Sequence, residues 1–435
     1  MSMTSPEHKY PTLALIGVLH AFTHVYQVAL LPLYLPIQQS FGLKSVGSST
    51  FLVTLLMVAY FLPSYPMGVL ADRVSRKTLL GLGLAINGLG FIGLGLAPSY
   101  PVALAAMVVA GFGGSFFHPA ATALVARLFP ANTGRALGLI GMGAGAGFFL
   151  GPLYAGWRAT QAGTWRAPVL ELGVAGLVAA ALFHWLAVEA PTTRPAQEKT
   201  GHKGGVFGSV PVGLLFVAAA LSFSLRDFAG SSMGSLGSLF LQNAHGFSVQ
   251  QTGVALSGIF LASIVSNPLF GHLSDRGPKR WTFLVQVVAA GLIAAFPHVS
   301  PDRAGSYFWA FMAYGFFFMA SYPMVEGVVM QSVPDAVRGR AFGLWITIGG
   351  LIGNLSHWLV GRWVEGSGPR AASAATYTPL YLLLAALLLL SLNGLLFLEA
   401  MRRRREQGLL AASPAQPPAP PLSPAPPGQP RSALE

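Results

Sequence analysis

Residues 68–77 read Gly68-Val69-Leu70-Ala71-Asp72-Arg73-Val74-Ser75-Arg76-Lys77, and residues 271–280 read Gly271-His272-Leu273-Ser274-Asp275-Arg276-Gly277-Pro278-Lys279-Arg280. The two stretches lie 203 residues apart. A second pair, Gly134-Arg135-Ala136-Leu137-Gly138-Leu139 and Gly339-Arg340-Ala341-Phe342-Gly343-Leu344, recurs at an offset of 205. Two matched motifs at nearly one offset mark an internal repeat of about 200 residues, so one half of the chain is a structural copy of the other.

What separates the motifs decides the class. Only 9% of the 435 residues are Asp, Glu, Lys or Arg and 53% are hydrophobic, against about 25% charged in an ordinary soluble domain. A soluble enzyme is excluded. Long stretches lack all four charged types, and about 20 apolar residues in a helix rising 1.5 Å each cross a hydrocarbon core roughly 30 Å thick. The expected spans are 12–37, 48–71, 78–97, 101–129, 135–157, 168–189, 210–243, 249–274, 281–298, 306–333, 340–363 and 377–400. The expected fold class is therefore an all-α membrane protein of twelve transmembrane helices in two six-helix pseudo-symmetric halves. Residues 12–189 form the N-terminal half and 209–400 the C-terminal half, joined by a polar cytoplasmic linker at 190–208. Residues 1–11 are a cytoplasmic N-terminus, and 401–435 are expected as a basic, then Pro-rich disordered cytoplasmic tail. Its arginines 402–405 suit anionic headgroups. The first run is too long for a cleaved signal peptide, carries His20 and His24, and is read as the first span.

The net charge of +12 raises the question of a nucleic-acid partner. Eighteen basic residues fall in the turns and tail on the side of the termini and six on the other side. That asymmetry is the positive-inside pattern, places both termini in the cytoplasm, and removes nucleic acid as the explanation. There is no cysteine, so neither a disulfide nor a thiolate metal site is possible. No metal site and no cofactor are expected.

The turn at 68–77 carries the complete G-x-L-A-D-R-x-S-R-K signature, and by it the chain resembles the major facilitator superfamily over residues 12–400. The copy at 271–280 keeps Gly271, Asp275, Arg276, Lys279 and Arg280 but has Pro278. The resemblance implies cytoplasmic gating by Gly68, Asp72, Arg73, Arg76, Lys77 and their second-half counterparts, with topology anchoring as the alternative. Gly147-Phe148-Phe149-Leu150-Gly151-Pro152, followed by Gly156, is similar to the helix 5 motif of drug:proton antiporters, although its final glycine pair is absent. Glycines four apart also serve plain helix packing. Within the superfamily the chain resembles the fosmidomycin-resistance group, through His20, Leu31-Pro32, Phe41-Gly42-Leu43, Phe117-His118-Pro119-Ala120, Leu150-Gly151-Pro152-Leu153 and Arg226. His24 and Asp227 depart from that pattern and bear on the substrate more than on the family.

Ionisable groups inside a span cost several kcal/mol unless they face protein or water, so each is a functional candidate. His20, His24 and Gln27, four and three residues apart, share one helical face, and Tyr34 returns to it seven residues on. The two histidines read either as proton or substrate handlers or as hydrogen-bonded packing residues. His118 lies at a depth close to that of His20, beside Pro119, where it carries protons or supports a kink that leaves a carbonyl for it or Thr122. Arg226 is expected to bind an anionic group or to control protonation of an acid, and Asp227 to be its partner or a structural contact. Glu326, three residues after Tyr322-Pro323, is the only carboxylate in its span and reads as a proton-coupling residue or as half of a gating ion pair. The resemblance implies that spans 1, 4, 7 and 10 line a central cavity, which is where these residues fall. Asn354 and His357 on span 11 either complete that wall or form a helix contact.

No phosphate loop, H-E-x-x-H or nucleophile elbow is present, which argues against an enzyme and against direct ATP drive. The leading expectation is a secondary transporter in the bacterial inner membrane, acting as a monomer among membrane lipids. It would export a small amphipathic or anionic organic compound in exchange for protons by alternating access. Proton-coupled uptake is the alternative, and a non-transporting receptor or scaffold is a third class.

Overall fold

The structure, a computed structural model, describes residues 6–71, 73–189, 207, 209–274, 277–301, 305–333 and 338–412. Gating candidates Asp72, Asp275 and Arg276, nearly all of the linker and the Pro-rich tail lie outside the described residues.

Among the described residues the chain is helical with no strand. The first half comprises α1 (Pro6–Val28), α2 (Tyr34–Ser40), α3 (Val46–Phe61), α4 (Ser64–Ala71), α5 (Arg76–Leu96), α6 (Tyr100–Gly114), α7 (Phe117–Leu128), α8 (Thr133–Ala162) and α9 (Arg166–Leu186). The second comprises α10 (Val210–His245), α11 (Val249–Leu261), α12 (Ser263–Ser274), α13 (Pro278–Ala295), α14 (Ser306–Ser332), α15 (Arg338–Ser367), α16 (Ala374–Leu390) and α17 (Asn393–Ala412). Eleven segments of the described residues are long and apolar enough to cross a membrane. The twelfth expected span, 340–363, lies within α15, which is helical but diluted by Asn354, His357 and Arg362 and is not among the eleven.

Several expected single helices are two pieces, for local reasons. Pro119 lacks the N–H that would bond the Ser115 carbonyl, and the helix breaks there between α6 and α7. Pro63 does the same between α3 and α4, where the Ser64 hydroxyl bonds the Tyr60 carbonyl at 2.8 Å. Between α16 and α17 the Ser391 hydroxyl bonds both the Leu388 carbonyl and Gln286 Oε1, at 2.6 and 2.9 Å. The last helix also outruns its expected end at residue 400: α17 continues through the arginines to Ala412. Glu399 gathers Lys279, Arg402 and Arg403 around its carboxylate, the two arginines each at 3.0 Å. These arginines thus have a protein partner as well as their exposed flank.

The halves meet along two seams, α3 with α15 and α8 with α11. Both seams are tight at the end of the bundle away from the 68–77 turn, and the α3–α15 seam stays close as far as Gly350, where a Cβ would collide with the Phe61 ring. A Cβ on Gly156 would lie 2.7 Å from the Val249 carbonyl oxygen and 3.1 Å from Cα of Gly253. One on Gly361 would lie 2.8 Å from Cα of Gly47. Hydrogen bonds cross at the same end: Ser45 to Glu365, Thr54 to the Asn354 carbonyl at 3.0 Å, and Ser238 to the Leu31 carbonyl at 2.6 Å. Toward the turns the helices part. A Cβ on Gly138, Gly141 or Gly327 would meet nothing within 4 Å, and one on Gly343 only Tyr65 at 3.7 Å. Gly68 has ordinary clearance as well, 3.9 Å to Pro119, so no close helix approach is made there in this state.

The glycines of α8 divide between two tasks. Gly143 and Gly147 let α8 lie against the α1 backbone at Gly17 and Ala21, and Gly151 packs against Val25 and Val28. Gly156, with the Pro152 carbonyl, instead meets Gly253 of the opposite half. Pro152 sits inside a continuous helix.

Candidate functional site

Two polar clusters stand inside the spans, one in each half. In the first half α1 brings His20 and His24 onto one face, and the break before α7 turns His118 toward them. The His20 and His24 Nε2 atoms are 3.1 Å apart. His20 Nδ1 donates to the Ile140 carbonyl at 2.8 Å, and His24 Nδ1 bonds Gln27 Oε1 at 2.9 Å. His118 approaches edge-on, its ring centroid 5.3 Å from that of His20 and 5.9 Å from that of His24. His20 and His24 are buried, whereas His118 and Thr122, one turn beyond, are exposed. Aromatic rings brace the group. Phe117 stacks on His20 at 4.6 Å, and Phe148 lies 4.1 Å from His24. Phe148 in turn stacks at 4.8 Å on Phe260 of the other half.

In the second half Arg226 is 2% exposed and held on three sides. Its Nε and one terminal nitrogen donate to Asp227 Oδ1 at 3.0 and 2.8 Å, and the other donates to the Ser321 carbonyl at 3.3 Å. The Tyr322 ring lies 4.2 Å from the guanidinium carbon, a cation–π distance. Asp227 occupies a slot cut by glycine, since a Cβ on Gly349 would come 2.5 Å from its Oδ2. Glu326 interacts electrostatically with both Arg226 and Asp227, yet forms no ion pair or hydrogen bond with the described residues. It is partly exposed.

Other candidates fall elsewhere. Tyr34 bonds Ser235 Oγ at 2.9 Å, Ser235 bonds His357 Nδ1 at 2.6 Å, and His357 Nε2 bonds Asn354 Oδ1 at 3.1 Å. All are buried in the closed seam, so Tyr34, Asn354 and His357 join the halves here and do not face the open space. Of the described gating candidates, Arg73, Lys279 and Arg280 are exposed, Lys77 and Gly271 are half-buried, and Arg76 is buried.

Sequence reading passed over Glu189 and Glu399. Glu189, just past α9, accepts from Ser75 Oγ and from the Arg76 amide, the latter at 2.7 Å. Glu399 holds Lys279 at the corresponding turn of the second half. The repeat offset could have paired them, since 399 − 189 = 210 is close to the motif offsets.

The Major Facilitator Superfamily sequence model matches residues 13–357 and 241–424. The chain belongs to the Major Facilitator Superfamily. It is similar to the multidrug resistance protein MdtG of Serratia proteamaculans (strain 568), at 28% identity over 80% of this chain and 84% of that protein. It is also similar to the fosmidomycin resistance protein of Escherichia coli (strain K12), at 21% identity over 80% and 86%. A crystal structure of a bacterial homolog to the human lysosomal transporter Spinster, inward-facing and unoccupied, shares the fold with a TM-score of 0.70 at 19% identity, covering 94% of this chain and 100% of that one. This superfamily member is thus a multi-pass membrane transporter, not an enzyme, with relatives named for drug resistance.

Proposed function

We propose that the protein exports a small amphipathic or anionic organic compound across the bacterial cytoplasmic membrane in exchange for protons, acting as a monomer whose two six-helix halves rock around a mid-membrane site. The observation that carries this reading is the Arg226–Asp227 pair with Glu326 beside it, ionisable and without an ion-pair partner among the described residues. An isolated charge is costly at that depth, so the cluster calls for a function. A deprotonated Glu326 competes with Asp227 for Arg226. While deprotonated, Glu326 draws the guanidinium off Asp227 toward the open space, where cargo can bind it; protonation of Glu326 ends that pull, and the guanidinium closes onto Asp227 and releases the cargo. Substrate and proton are thereby mutually exclusive at one site, which is the requirement of antiport.

With the basic turns in the cytoplasm, the parted end of the bundle opens to the cell interior, the state in which an exporter loads and an importer unloads. The drug-resistance names of the relatives support export.

The test is purified protein in liposomes under an imposed pH gradient, with a panel of amphipathic and anionic compounds followed on both sides. Movement opposite to protons is expected. Movement with protons would make the protein a symporter, and no flux across the panel would remove transport of these compounds from its function.

A further inference from the structure

The hydrogen bonding around His20 and His24 leaves an imbalance. The Ile140 carbonyl can only accept, so Nδ1 of His20 carries a proton, and Gln27 Oε1 asks the same of Nδ1 of His24. In the neutral imidazoles both Nε2 atoms then present lone pairs to each other at 3.1 Å. Two lone pairs at that distance repel unless a cation lies between them. A ligand nitrogen of His118 completes the group, all three within 4.8 Å of one another.

We propose that His20, His24 and His118 form a binding site for a divalent late first-row transition-metal ion, of the Zn2+ and Ni2+ class, entered from the open end of the cavity. Metal-bound histidine typically donates its other ring N–H to a carbonyl oxygen, which fixes the tautomer and aims the free nitrogen at the ion; His20 and His24 already have that arrangement. Bonds of about 2.0–2.1 Å in tetrahedral geometry put ligand nitrogens about 3.4 Å apart. The His20–His24 pair is near that spacing. The exposed His118 ring must close by about 1.4 Å to reach it, and its place at the start of α7, just after the helix break, leaves it room to turn. Three imidazoles without thiolate or carboxylate suit zinc, nickel, cobalt or copper, not the oxygen-seeking magnesium and calcium. Three protein ligands leave a fourth position facing the cavity, which is the pattern of a site that exchanges its ligand and not of a closed structural one. No motif exposes this site, because α1 and α7 supply its ligands from positions 94 residues apart (118 − 24).

The site is tested on the full-length protein in detergent, purified without a histidine tag, by Co2+ titration followed in the visible spectrum and by competition with Zn2+. One ion per chain with the intense absorption of four-coordinate Co2+ is expected. His24→Ala and His118→Ala should each weaken binding at least about tenfold and Gln27→Ala by a similar factor, through loss of orientation. His184→Ala and His272→Ala, at exposed histidines elsewhere, should leave it unchanged. The exposed His118 side chain can be removed without opening the core, so a folded His118→Ala protein that binds the ion like wild type would overturn the proposal. So would the absence of stoichiometric binding to the wild type, which would leave a shared proton as the bridging cation. The measurement is made at equilibrium and does not depend on whether the protein exports anything.

Discussion

Arg226 is bound by its own neighbour: two of its nitrogens converge on Oδ1 of Asp227 at 3.0 and 2.8 Å. Adjacent residues on a helix point about 100° apart, so the arginine must fold back over Tyr322 to make this pair. Asp227 itself fits only because Gly349 yields the space. Removing one member of such a buried pair leaves an uncompensated charge and costs about 3–5 kcal/mol. Arg226→Met and Asp227→Asn should therefore each lower the unfolding midpoint in detergent sharply, and the double variant should recover most of the loss. Purely additive losses would show that the pair is not the unit of stability.

Glu326→Gln keeps shape and removes titration. Gradient-driven transport should be abolished in liposomes, while exchange of labelled for unlabelled substrate at equal pH persists. Unchanged driven transport would take Glu326 out of the coupling.

The closed seam turns on glycine. Gly253→Val adds bulk where even a Cβ collides with the Pro152 carbonyl, so α8 and α11 must separate and the closed end should open. Because the chain has no cysteine, spin labels at Lys44→Cys and Arg370→Cys report on this without removing native thiols. A longer label distance in the Gly253→Val background is expected, and an unchanged distance would mean that the seam adapts without parting.

Glu189→Gln weakens the tie between the end of α9 and the turn before α5. A charge-assisted bond to a backbone amide contributes roughly 1–2 kcal/mol more than a neutral one. Hydrogen exchange at the Arg76 amide should accelerate about fivefold to thirtyfold, and exchange at the wild-type rate would remove the carboxylate from the turn's stability.

Much of this architecture was legible because the signals are periodic. Charge-free runs give span positions, and the turn at 68–77 with its copy gives the repeat and the family. His20 and His24 are visible as a pair since a spacing of four fixes their face. The convergence of His118 on them is not, for it depends on how α7 is turned after the Ser115 break. Tyr34 and His357 fall on faces that line the cavity in the expectation, yet the approach of the halves covers them: which face is wet depends on the state, and a sequence carries no state. Ser235, the link between them, is one serine among several in α10 and has no distinguishing local pattern.

Helix α8 is fastened to α1 along its middle, at Gly143, Gly147 and Gly151, and makes its close backbone contact with the opposing half at Gly156. That contact lies near one tip of the helix, with 23 residues, about 35 Å of lever arm, between it and Thr133. A turn of about 15°, ordinary for rigid bodies moving about an interface, would swing the distal tip through about 9 Å while the fulcrum scarcely shifts. In the rocking motion proposed for this transporter, small residues at the fulcrum would thus set the width of the opening at the opposite face.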